Sequence, residues 1–233
     1  MTTKSTAFRQ QWPHFHTGKG APVSKVLPSR PLTLAVAVAA ACSSGVVHGV
    51  AMTQSDVGAE STFTTGLHFP AGNQPPLGTV DYETGAFRMR TERLGGDQDF
   101  SGQSLTVEGA GGSLAITNAA GAEVTVDDLQ IQDGGVVEAF FFDTVSLDGV
   151  ITVSGTATFD ARRGDVGFSR NLEIVGDIGG TGGVSVVSPG TDGGVVTFAG
   201  TNTFDGDTSV GDGAVLRMGA ANAMPQDASD GDL

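Results

Sequence analysis

Short apolar segments recur through this chain at nearly constant spacing, and that recurrence limits the folds open to it more than any other feature. Ala86–Met89, Leu105–Val107, Leu129–Ile131, Ile151–Val153, Leu172–Ile174, Val195–Phe198 and Val215–Met218 form one regular series. A second set lies between them: Leu114–Ile116, Val136–Val137, Thr158–Phe159, Val184–Val187 and Thr203–Phe204. Each segment alternates apolar and polar residues with period two and is bounded by Gly, Asp, Asn or Ser, the grammar of strands joined by turns. Recurrence about every 20–24 residues with two or three strands per period predicts an all-β chain wound into the coils of a β-solenoid.

Energetics explain why the unit must repeat. Each inward apolar side chain contributes roughly 1.5–3 kcal/mol on burial, whereas ordering each backbone residue costs about 1–2 kcal/mol. One coil of about twenty residues with four or five such side chains does not offset that cost, but stacked coils share ladder hydrogen bonds and bury both sides of every interior layer. Phe159, Phe198 and Phe204 are the expected interior aromatics. Phe140-Phe141-Phe142 cannot all point inward from one strand, because neighbouring side chains face opposite sides.

Charge divides the chain. Residues 1–51 hold five basic residues and no acid, whereas residues 52–233 hold seven arginines, no lysine and all 26 acidic residues, a balance of −19. Leu32–Ala41 is an apolar run behind the cationic stretch that ends at Arg30, the pattern of a secretory signal and too short to span a bilayer. Residues 1–51 therefore read as a signal peptide with a long basic n-region, with cleavage after Gly49-Val50-Ala51. Lipidation of Cys42, the only cysteine, is the lesser alternative, since Ala39 stands where a large aliphatic residue is expected. In either case the mature chain has no disulfide and no thiol chemistry.

Gly193 to Gly219, followed by Ala221-Asn222-Ala223-Met224-Pro225, resembles the autotransporter-associated β-strand repeat, also called the passenger-associated transport repeat. That family reads Gly-Gly, an alternating apolar strand, Gly-x-Asn-Thr-[Tyr/Phe]-x-Gly-x-Thr-x-Val, x-Gly-x-Leu and Asn-Ala-[Leu]-Pro. Asn202, Thr203, Phe204, Gly206, Thr208, Val210, Gly213 and Leu216 fall on its positions, with Met224 where Leu is more frequent. Phe87–Arg90 and Asp99–Val107 are similar, more loosely, to upstream coils of large secreted proteins bearing such repeats. The resemblance implies a right-handed parallel β-helix passenger, exported to the cell surface or beyond. It covers only residues 193–225, and nothing after Pro225 reads as a membrane β-barrel or a sorting helix. Leu233 thus reads as the end of a fragment or of a truncated gene.

Few residues of the chain could carry chemistry. Asp127-Asp128, Asp160, Asp165 and Arg162-Arg163 are the best material for a polysaccharide-active site of clustered carboxylates, but they read as solvated turns. His68 is the only histidine after the leader, so no Ser-His-Asp set can be assembled. Gly179–Gly183 begins like a calcium-binding nonapeptide, yet Val184 occupies the Asp position and a flexible corner is the better reading. Asp205-Gly-Asp207 and Asp227–Asp232 lack the ligand spacing of an EF-hand. No phosphate-cradling loop occurs, and the acidic balance disfavours nucleic acid and polyanionic substrates.

The expected organisation is a signal peptide at 1–51, a flexible leader and N-terminal cap at 52–85, a β-solenoid at 86–225 and an acidic tail at 226–233. The expected function is a secreted or cell-surface structural scaffold, not an enzyme, with no catalytic, cofactor or metal residue assigned. Its partners are the export machinery and, in the alternative reading as an adhesin, cell-envelope or extracellular glycans.

Overall fold

The computed structural model describes residues 52–53, 62–65, 76–93, 95–109, 111–140, 144–161, 170–189 and 193–225. The segment 1–51 with Cys42, His68, Phe141, Phe142, Arg162, Arg163, Asp165 and the tail 226–233 lie outside them.

All strand pairs among the described residues are parallel, and they build a β-solenoid. The coil that separates partners in successive layers varies in length, being short from Val195 to Val215 and long from Thr144 to Asn171. Strands stack on three faces. The first holds Met52–Thr53, Asp81–Glu83, Ser104–Val107, the second halves of Glu123–Ile131 and Thr144–Val153, and Asp177–Gly180. The second holds Arg88–Arg90, Ser113–Ile116, Val136–Ala139, Thr156–Asp160, Gly183–Val187 and Thr208–Val210. The third holds Gln98–Asp99, the first halves of the two long strands, Asn171–Ile174, Val195–Phe198 and Val215–Met218. The six layers of the second face correspond to about five turns.

Alternation decides what is inside. Inward columns run Tyr82–Leu105–Leu129–Ile151–Ile178 on the first face, Met89–Leu114–Val137–Phe159–Val186–Val210 on the second and Val124–Leu147–Ile174–Phe198–Met218 on the third. Almost every member of these columns is buried, the exceptions being the terminal Val210 and Met218. Phe159 and Phe198 meet edge to face at 5.8 Å, which is the favoured aromatic geometry. Phe204 is also buried, so the three expected interior aromatics all lie in the core.

The stacking order differs from the sequence expectation in one respect. Leu105, Leu129 and Ile151 share a column, but its next member is Ile178 and not Leu172. Leu172, Val196 and Leu216 belong to the third face, and Met89 to the second. Thr203–Phe204 likewise leaves the second series, because the Thr203 amide bonds the Ile178 carbonyl on the first face while Val210 stacks on Val186. For Leu172 and the members stacked on it, the cause is the long coil between Thr144 and its partner Asn171. Every face has the same alternating texture, so the extra length moves a linear series from one face to another.

Gly179–Gly183 is the corner from the first face to the second, a two-residue turn with strand on either side: Gly179 and Gly180 pair with Thr152 and Val153, and Gly183 pairs with Thr156. Gly180 has φ 111°, and a Cβ there would lie 2.2 Å from the Val153 carbonyl oxygen. Close approach of layers requires the glycine. Before the first full layer, the helical turn Thr62–Thr65 places Phe63 in the core, 5.2 Å from the Phe100 ring.

Candidate functional site

The corner between the second and third faces carries the densest charge among the described side chains. The second-face strands point Met89, Val137 and Phe159 inward, so Arg88, Arg90, Glu138 and Asp160 project outward. Arg90, Ala115, Glu138 and Asp160 form one outward column, with Arg88, Ser113 and Val136 in the next. The short Ala115 side chain leaves the column open between Arg90 and Glu138.

Glu138 and Asp160 are each only 2% exposed despite facing outward. The Arg88 guanidinium reaches Glu138 across two layers, Nε to Oε1 at 2.7 Å, and the Ser113 hydroxyl donates to the same oxygen at 3.2 Å. Directly after Val136–Ala139, Phe140 turns out of the strand, and three guanidiniums surround its ring: Arg88 at 5.2 Å, Arg90 at 5.5 Å and Arg170 at 5.6 Å from the centroid. Arg170, itself buried, donates to the Ala139 carbonyl at 3.2 Å. A ring quadrupole attracts cations, and a buried carboxylate requires a compensating partner. The cluster therefore ties together four successive layers from outside.

Asp160 was expected on a solvated turn and is instead the buried last residue of Thr156–Asp160. Asp127 and Asp128 stand where Glu123–Ile131 bends from the third face to the first, at a register shift, with Asp127 exposed and Asp128 half-buried. They are not brought to Asp160. Arg88, Arg90, Glu138, Phe140 and Arg170 were missed by sequence reasoning. The available signal was the concentration of basic side chains at Arg88, Arg90 and Arg170 in a chain region dominated by acids. With both carboxylates enclosed, this arrangement presents no open acid–base pair to a substrate; what it does chemically is neutralise and fasten. Among the described residues, no group of three or more His, Cys, Asp or Glu side chains is placed to share a metal ion.

The motif Gly200-Thr-Asn-Thr-Phe204 builds a second junction, inside the wall. Asn202 is 3% exposed. Its Oδ1 accepts the Ile178 amide at 2.9 Å from the layer before, and its Nδ2 donates to the Ala223 carbonyl of the layer after. Its own amide bonds the Asn222 carbonyl at 3.1 Å. One side-chain amide thus bridges three layers where regular strand pairing lapses. Phe204 turns into the core, and at Gly206 a Cβ would meet the Gly183 nitrogen at 2.6 Å. Thr208 then resumes the ladder on Val184.

Scans against family models, curated proteins and solved structures gave no match to this chain, so its architecture rests on the pairing and packing described above.

Proposed function

We propose that the chain is an exported structural passenger, a secreted or cell-surface solenoid of the autotransporter-associated repeat type with no catalysis of its own. The observation that carries this reading is Asn202, whose polar atoms are engaged with Ile178 and Ala223 in neighbouring layers. The other motif residues serve stacking as well: Phe204 fills the core and Gly206 permits close approach. The charged corner, with its carboxylates enclosed, supports the same reading. The basic stretch and apolar run Leu32–Ala41 support export.

The test is to express the full chain from its own start in a Gram-negative host and follow it by fractionation and N-terminal sequencing. Processing near Ala51 and delivery out of the cytosol are expected, with retention after Leu34→Arg and Val36→Arg. An unprocessed cytosolic wild-type chain would overturn export. Glycan cleavage by residues 52–233 that is lost on Asp127 or Asp165 substitution would overturn the non-catalytic reading.

One observation favours an adhesin as the competing reading. Outward positions on the first face place half-buried Gln130 and exposed Thr152 in successive layers, a short polar track with one side chain per layer. A repeat of about 4.8 Å along such a track suits an extended polymer such as a glycan. A glycan array with no saturable binding eliminates this reading.

A further inference from the structure

Asp-Gly pairs lie among the described residues at Asp133-Gly134, Asp148-Gly149, Asp205-Gly206 and Asp212-Gly213. In such a pair the glycine nitrogen can attack the aspartyl side-chain carbon, because no Cβ on the glycine stands in the way. Gly134 and Gly206 are held out of this reaction: their amides donate to the Thr156 carbonyl at 2.8 Å and the Gly182 carbonyl at 3.0 Å in neighbouring layers. Asp133 is turned away as well, its Oδ1 accepting the Thr156 amide at 3.1 Å. Asp148 differs, since its Oδ1 accepts the amide of Gly149 itself at 2.8 Å. The pair sits within Thr144–Val153, where the strand bends from the third face to the first and the ladder lapses on both sides. Pairing steps from Asp148 to Val150 against Thr125 and Asp128, and from Leu147 to Val150 against Ile174 and Asp177. Both residues are half-buried, so water reaches the bend. Gly149 has φ 116°, and a Cβ there would lie 1.9 Å from the Val126 carbonyl oxygen, so the bend requires the glycine.

We propose that Asp148-Gly149 is a site of spontaneous modification, where the aspartate isomerises to isoaspartate through a cyclic imide. The Gly149 nitrogen forms a bond to Asp148 Cγ and loses its proton, while the carboxyl loses a hydroxyl, and the two leave as water. Hydrolysis of the imide at the backbone carbonyl returns the water and leaves the main chain running through Cβ and Cγ. The 2.8 Å contact holds the nitrogen and the carboxyl close to the separation of about 3–3.5 Å at which reacting atoms meet. Conversion adds one main-chain carbon to a bend whose two halves are each fixed in register, Ser146 and Leu147 on the third face and Ile151 and Val153 on the first. It therefore loosens the layer at this point.

Ageing the full chain in mildly acidic buffer at physiological temperature tests this, with isoaspartate located by electron-transfer fragmentation of its peptides. The expected result is isoaspartate at residue 148 well ahead of residues 133 and 205, with Asp212-Gly213, both exposed, as the internal measure of an unconstrained pair. Asp148→Glu loses the signal at that position, because the longer side chain would have to close a six-membered ring. Asp148→Asn raises it, since ammonia leaves through the same imide. In urea, where the fold positions no pair, residue 148 loses its lead. A residue 148 that lags with 133 and 205 in the folded chain overturns the proposal, as does a lead that persists in urea, which traces the preference to local sequence and not to the bend.

Discussion

At the N-terminal end of the stack three rings close the first layer: Phe63 lies 5.2 Å from Phe100, and Tyr82 meets Phe100 edge to face at 5.6 Å. At the other end Val210, Leu216 and Met218 occupy equivalent inward positions and stand partly in solvent. The ties behind the two ends differ as well. Near the first, Arg88 reaches over the outside of the wall to a buried glutamate two layers away, whereas near the second Asn202 works within the wall, amide to backbone. An aromatic cover removes an end from water, and a charge tie fixes particular layers at one place. An amide tie depends only on backbone groups that every coil possesses, so it suits a motif meant to be repeated.

If the N-terminal end is sealed by its rings, Phe63→Ala should lower unfolding free energy by about 3–5 kcal/mol, the range for deleting a buried phenylalanine. Urea denaturation measures it, and a loss below about 1 kcal/mol would show that the rings do not seal this end. Asn202→Ala is next, at about 2–4 kcal/mol, because it strands the Ile178 amide and the Ala223 carbonyl, each buried group costing about 1–3 kcal/mol without a partner. In a solenoid each coil contacts only its neighbours. Hydrogen exchange should therefore quicken at Ile178 and its neighbours while Leu105 and Leu114 stay protected; uniform loss of protection would contradict a local tie.

Much of the fold was legible because a solenoid writes its layers into the sequence. The alternation of Leu105-Thr-Val107 and Leu129-Gln-Ile131 marked inward and outward positions correctly, and Phe159, Phe198 and Phe204 could be assigned to the core from it. Face identity was less legible. The ladder offsets, long from Thr144 to Asn171 and short from Val195 to Val215, depend on corner length, and corners have no periodic signal. The charged corner was hidden for a different reason. Alternation equates outward with solvated, but Glu138 and Asp160 are outward and enclosed, and enclosure comes from residues distant in sequence, such as Arg88, two layers before Glu138. Phe63 was hidden because four residues of helix ahead of the solenoid show no pattern that could link them to Phe100.

Arg88→Ala sharpens the contrast between the two ties. Removing one partner of a buried ion pair costs about 3–5 kcal/mol, and because the Arg88 side chain is 31% exposed the expected loss is about 2–3 kcal/mol. Adding Glu138→Gln should recover part of that loss, since the amide carries no charge to compensate. A double variant as unstable as the sum of both singles would show that Arg88 and Glu138 act independently.

The smallest effect belongs to the open end. Met218 sits in the same column as Phe198 and Ile174, but at 43% exposure with no layer beyond it among the described residues. Truncation removes contacts on one side only and leaves no enclosed cavity, so the cavity contribution that makes core substitutions severe is absent. Met218→Ala should therefore cost less than about 1 kcal/mol. Phe198→Ala, one layer below in the same column, should cost about 3–5 kcal/mol. Thermal melts of the two variants at low concentration measure the difference directly. If the loss at Met218 approaches that at Phe198 under those conditions, the last layer is covered within a single chain, and the contrast between a sealed and an open end fails.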